Sequence, residues 1–185
     1  MPSPSFPGFV AGPDVPGAET ARVKKKIQAW SRARKAGAFA AGGARLKGRL
    51  AGFPRAMWTF QPAPGKWCIG QVLWHLADQE AHLYVRLRLA AFQPGSPVPA
   101  YDQGKWTSPA SSRLADFADA RDLVLLLRKA NADLVNRLPA KAWKNKVRHP
   151  EWGPLTPDFL VGQNIWHLEH HLGQMAKRHR EWKNR

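Results

Sequence analysis

Apolar residues in this chain recur at helical spacing in four stretches, and no strand-like alternation of comparable length competes with them. The clearest stretch runs from Ile69 to about Phe92, where Ile69, Val72, Leu73, Leu76, Leu83, Leu87 and Ala90 repeat at helical intervals. A second spans Ser112 to Leu138, with Leu114, Phe117, the run 123–127, Leu134 and Leu138 as its apolar residues and Pro139 as its stop. A third begins at Thr156-Pro157-Asp158, an N-cap threonine, a first-turn proline and an acid near the positive end of the helix dipole, and continues to about Trp182. The fourth, Thr20 to about Phe53, is rich in the helix formers Ala, Arg, Lys and Leu. Gly37, Gly42 and Gly43 interrupt it, which leaves open two helices or one kinked helix. The pattern predicts an all-α fold, a four-helix bundle with long connections between helices.

The segments between these stretches refine that picture. Phe60 to Trp67, with Pro62, Pro64 and Gly65, reads as a connector. Pro94, Pro97 and Pro99 open a loop from Gln93 to Ala110, well beyond the ~2–8 residues usual in bundles. Such a loop implies a crossover or a cover over a site. Another loop, with Trp143, His149, Pro150 and Trp152, precedes the last helix. Residues 1–18, rich in proline and glycine, read as a flexible tail, so the bundle is assigned to 19–185. No internal repeat is evident.

Composition narrows the setting. A chain of 185 residues with 44% hydrophobic content can build one proper core. The single cysteine, Cys68, excludes an intrachain disulfide and a cysteine-rich zinc motif. The N-terminus lacks the basic and apolar regions of a signal peptide, and no apolar run approaches the ~20 residues of a membrane span. The expectation is a soluble, cytoplasmic protein with no membrane partner. The net charge of +16 is concentrated: Ala21 to Ala77 holds twelve Lys or Arg and no acid. A basic block of this kind attracts polyanions, so nucleic acid or an acidic partner is one reading. A solvated basic face is the favoured one, because no nucleic-acid recognition motif accompanies the charge.

The chemistry concentrates in Trp166-His167-Leu168-Glu169-His170-His171. At ~100° per residue, His167 and His171 lie about 40° apart on one helical face, a spacing that lets two imidazoles grip one metal ion. His170 falls at about −60° and Glu169 at about 200°, both turned away from that face. The string is not H-E-x-x-H, so a zincin protease is not supported. On the helix of Ile69–Phe92, His75 borders the apolar stripe with the same offset as His167, so the two edges can face each other. Glu80 falls within that stripe, and a buried carboxylate needs a partner. It either orients a ligand histidine or pairs with an arginine. His82 is expected to face solvent, and His149 and His179 to be ordinary loop and tail residues. On spacing alone, the three histidines are either metal ligands or hydrogen-bonded core imidazoles.

Four ordered blocks then carry a resemblance: Pro62-Ala-Pro-Gly-Lys-Trp67, His75-Leu-Ala-Asp-Gln-Glu80, Pro99-Ala-Tyr-Asp-Gln103 followed by Trp106, and Trp166-His-Leu-Glu-His-His-Leu-Gly-Gln174. Across about residues 44–180 the sequence resembles the DinB/YfiT-like superfamily of metal-binding four-helix bundles. The resemblance implies that His75, His167 and His171 hold a divalent metal, zinc or nickel. It implies a small-molecule substrate and one of two chemistries: metal-dependent hydrolysis, or S-transfer or isomerisation using a low-molecular-weight thiol as co-substrate. Of these the thiol class is favoured, because a metal-bound thiolate suits three histidines. Homodimerisation is common in the family. Tyr101, Asp102 and Trp106 become pocket candidates, the alternative being that they anchor the loop. The rival reading is a non-enzymatic basic bundle that binds nucleic acid or an acidic partner. Two departures stand out: Cys68 replaces the usual serine or threonine before the second helix, and the first helical stretch is unusually basic and glycine-containing.

Overall fold

The computed structural model describes residues 17–108 and 116–185. Six helices form there: α1 (Gly17–Gln28), α2 (Arg32–Ala51), α3 (Ile69–Phe92), the one-turn α4 (Gln103–Trp106), α5 (Phe117–Arg137) and α6 (Pro157–Lys183). The four long helices α2, α3, α5 and α6 make the bundle, and α1 packs on the outside of α6. Gly17 and Ala18, expected in the tail, already belong to α1. The rest of that tail, residues 1–16, and the Ser112–Leu114 start expected for α5 lie outside the described residues.

The basic first stretch resolves into two helices, and the glycines do not divide it. The break falls at 29–31, where the Ser31 hydroxyl caps α2 by accepting from Arg34 N. Gly42 sits inside α2 as a point of close approach: a Cβ there would lie 2.6 Å from Arg128 Nη2 and 2.7 Å from Leu168 Cδ2. At the start of α3, Cys68 occupies the N-cap position. Gln71 compensates for the missing hydroxyl by accepting from Cys68 N at 3.1 Å.

Ring order around the bundle is α2–α5–α3–α6, so α2 stands diagonally opposite α3 and α5 opposite α6. Cross-links give the directions. Lys35 to Asp158 and Arg45 to Glu169 make α2 and α6 parallel; Glu80 to Arg128, with Gly70 against Phe117, makes α3 and α5 parallel. His75 to His167 and Arg178 to Trp67 make α3 and α6 antiparallel. Because α3 and α5 are parallel neighbours, the chain must return the length of α3, about 36 Å, before α5 begins. That is the physical reason for the long connection.

Part of this crossover is stitched down. Val98 N donates to Arg148 O at 2.9 Å and Arg148 N to Ser96 O at 2.9 Å, beside a short antiparallel hairpin of β1 (Val147–His149) and β2 (Gly153–Leu155). The hairpin is an element the helical periodicity gave no sign of. Two apolar clusters fill the two ends of the bundle. Between them runs a polar belt: Glu80 and Gln79 on α3, Arg128 and Asn131 on α5, and His167 on α6. No described helix is long and apolar enough to cross a membrane.

Candidate metal centre

α3 and α6 bring three histidines to one point. His75 sits in the second turn of α3, seven residues past its cap, and His167 and His171 occupy successive turns of α6. The Nε2 atoms of His75 and His167 are 2.8 Å apart, and those of His171 and His167 3.1 Å apart. One ring nitrogen from each of the three falls within 4.8 Å of the others. The rings meet edge to face, at 65° to 81° between planes, so their lone pairs converge instead of stacking past one another. All three are at most 4% exposed.

Burial sets their charge state. Desolvation first, then the neighbouring His170, lowers the His75 pKa from 6.5 to about 4. Desolvation and then repulsion among the imidazoles hold His167 and His171 well below 6.5. The three are neutral at pH 7. His171 Nδ1 lies 2.8 Å from Gln174 Oε1, a carbonyl oxygen that can only accept, so the proton sits on Nδ1 and the Nε2 lone pair points at the cluster. Gln174 Nε2 in turn contacts His170 Nε2 at 3.0 Å. Trp67 roofs the cluster, its ring centroid 5.1 Å from that of His75 and 6.4 Å from that of His171. Arg178 holds the Trp67 carbonyl at 3.3 Å.

This donor set fits a divalent cation. Three neutral, dry imidazole nitrogens converge with no carboxylate among them, and around one ion at ~2.0–2.1 Å such nitrogens would stand about 3.3 Å apart. The spacings already present are close to that. The residues that would hold the ion are His75, His167 and His171, oriented in part by Gln174.

Other expected site residues fall elsewhere. Glu80 does not reach a histidine. It pairs with Arg128 at 2.6 Å and accepts from Asn131 Nδ2 at 2.7 Å, so of the two readings left open the arginine pair is the one present. Asp102 is exposed and caps α4 by accepting from Lys105 N at 3.1 Å, which makes it a loop anchor. Tyr101 and Trp106 pack with His82, at centroid distances of 4.2 Å for His82–Tyr101 and 4.8 Å for Tyr101–Trp106. They form an aromatic group two turns along α3 from His75. His82 is therefore half-buried under the loop, which corrects its expected solvent-facing role. His149 is buried in β1, its Nδ1 accepting from Glu151 N and Trp152 N. Glu169 points away, as its wheel angle implies, and pairs with Arg45.

Three further groups had no signal in the spacing argument. Gln174 lies three residues past His171, within hydrogen-bond reach on the same helix. Asp78, three residues after His75, is half-buried, and desolvation raises its pKa to about 6. Lys24 arrives from α1, its Nζ 3.9 Å from the centroid of the Trp166 ring. Burial lowers its pKa to about 8, and its charge bears on His167.

The chain thus combines a diagonally connected helical bundle with a buried three-histidine cluster, set between an antiparallel helix pair, whose donor atoms are placed so that they could hold one metal ion. The chain belongs to the DinB superfamily, whose model matches residues 38–175. A relative from Oceanobacillus iheyensis, named "Putative metal-dependent hydrolase", is 28% identical over 64% of this chain and 69% of its own length. YfiT of Bacillus subtilis, which carries the same description, is 26% identical over 61% of this chain and 64% of its own length. A solved structure of Bacillus subtilis YfiT, described as "a probable metal-dependent hydrolase with an unusual four-helix bundle topology", superposes with a TM-score of 0.73. That likeness, at 22% identity over 82% of this chain and 87% of the other, is one of fold.

Proposed function

We propose that this chain is a metal-dependent enzyme in which His75, His167 and His171 hold one divalent cation, zinc or nickel, and that it acts on a small molecule in the cytoplasm. The observation that carries this reading is the convergence of three neutral, buried imidazole nitrogens from two helices. Three protein ligands leave a coordination position for a reactant. A cation held there lowers the pKa of a water or a thiol toward neutrality, which supplies a nucleophile at pH 7. The chain's own groups do the rest. Gln174 fixes the His171 tautomer, and Trp67 keeps bulk water off one side.

Between the two chemistries, the descriptions of the relatives support hydrolysis. The side chains favour a low-molecular-weight thiol as the activated group. Attack by water wants a carboxylate base at the centre, yet Glu80 is locked to Arg128 and the histidine cluster contains no carboxylate. A thiolate needs no such base. The homodimer suggested by the resemblance is a further proposal, tested by sedimentation.

Elemental analysis of the purified protein should find about one zinc or nickel per chain, falling to near zero in His75→Ala and His167→Ala. A screen of esters, amides and thiol-acceptor pairs should then show turnover only in metal-loaded protein. A folded, metal-free protein that cannot be reconstituted would refute the reading. Salt-dependent DNA binding unaffected by His171→Ala would support the non-enzymatic alternative.

A further inference from the structure

One turn beyond the histidines, on the same side of both helices, lies a second set of buried polar side chains that the metal reading does not use. On α3, Gln79 follows His75 by four residues; on α6, Gln163 and Asn164 precede His167 by four and three. Since α3 and α6 are antiparallel, moving forward along one and backward along the other reaches the same level, about 6 Å from the cluster. Gln79 is rotated about 40° from His75, and Gln163 and Asn164 about 40° and 60° to either side of His167. All three therefore share the face that carries the ligands.

These carboxamides are poorly satisfied. Gln163 Nε2 and Asn164 Oδ1 are buried and have no hydrogen-bond partner. Asn164 Nδ2 is spent on Leu160 O, at 2.9 Å. Gln79, 7% exposed, has no side-chain hydrogen bond among the described residues. Gln163 and Asn164 are 2% and 5% exposed. The two buried amide atoms without partners, Gln163 Nε2 and Asn164 Oδ1, are costly, roughly 1–3 kcal/mol each, and a fold does not place them beside a reactive centre for stability. One of them offers an N–H, another a C=O, and the third both. No charged group belongs to the set. The complement of such a set is a neutral group carrying an acceptor next to a donor.

We propose that Gln79, Gln163 and Asn164 form the substrate-recognition subsite of the metal centre and that they select a substrate bearing an amide. The inference rests on the proposed metal site, because the amide is read one turn from the reacting atom. The amide belongs either to a substrate that is hydrolysed or to a thiol co-substrate that carries one; both share the chemistry recognised here. Turnover of amide-bearing thiols against plain amides distinguishes those two sources.

Binding can be read without turnover. The protein is loaded with cobalt(II), whose visible spectrum changes when a thiolate joins the three imidazoles, and titrated with β-mercaptopropionamide, β-mercaptopropionate and isopentanethiol. These share a thiol and a similar shape and differ only at the far end. The amide should bind on the order of tenfold tighter than the isosteric alkyl thiol, the gain of one or two net hydrogen bonds. Gln163→Met and Asn164→Leu should erase that preference, keep one cobalt per chain and leave Tm unchanged or raised, since each removes an unsatisfied buried group without changing the volume much. Gln79→Met is the third variant of the set and should behave alike.

Failure to take up cobalt overturns the metal-centre reading and this inference with it. Cobalt uptake with equal affinity for all three thiols overturns this inference alone. So does tightest binding of the carboxylate, which would point to Lys24 as the recognising group. Variants that lose Tm yet keep the amide preference would show the carboxamides to be water-bridged structural groups, and that too overturns it.

Discussion

A histidine that is buried without a counter-charge is a base held in its neutral form, and this chain does that three times within one cluster. The consequence for stability has a definite sign. The unfolded histidines titrate near 6.5, the folded ones below it, His75 at about 4, so between those values the unfolded chain binds more protons. Stability of the metal-free protein should therefore fall as pH drops from 6.5 toward 4, and Tm measured across that window should decline steadily. Asp78 works in the opposite direction: its folded pKa is raised, so the folded chain takes up that proton first and gains stability as pH falls from about 6. One carboxyl does not outweigh three imidazoles, so a flat profile would contradict the burial argument. Gln174 supplies a second test at this scale. It touches no reactant, but it fixes the proton on His171 Nδ1. Gln174→Ala should weaken zinc binding by roughly 10- to 100-fold in a chelator competition while leaving the fold intact.

Helices α2 and α3 show how an element can mislead at the residue level. The glycines of α2 look like breaks because glycine disfavours helix interiors by ~1 kcal/mol. Gly42 is there for a packing reason: Arg128 and Leu168 occupy the space a methyl group would take, where α5 and α6 come closest to α2. Gly48 has nothing within 4 Å of its would-be Cβ and faces solvent. Gly42→Ala should thus cost about 1–3 kcal/mol by overpacking, and Gly48→Ala should gain up to about 1 kcal/mol from helix propensity. Urea denaturation of the pair would show it, and destabilisation by both would refute the distinction. On α3 the pattern of apolar residues was right and Glu80 was rightly seen as buried. Its partner was beyond reach of the spacing argument, since Arg128 stands forty-eight residues away and on a helix whose placement beside α3 depends on the crossover.

At the scale of the molecule, the two apolar clusters close the ends of the bundle, and the polar belt between them is where the histidines meet. Metal bound there stabilises the folded state alone, by ~4 kcal/mol at a free concentration a thousand times Kd. For a chain of 185 residues that corresponds to a Tm about 8–16 °C above that of the chelated protein. Calorimetry with and without a strong chelator would measure it, and coincident transitions would argue against a tightly bound ion. The sequence by itself determined the four helical stretches, the face on which His167 and His171 lie and the matching offset of His75, because each of these follows from periodicity within a few turns of one helix. Hairpin β1–β2, the Arg128 partner of Glu80, the approach of Lys24 and the alignment of Gln79 with Gln163 and Asn164 were decided only by tertiary structure. Each depends on which helices become neighbours and in which direction they run. That choice is made by the diagonal connection and the long crossover, and local pattern carries no record of it.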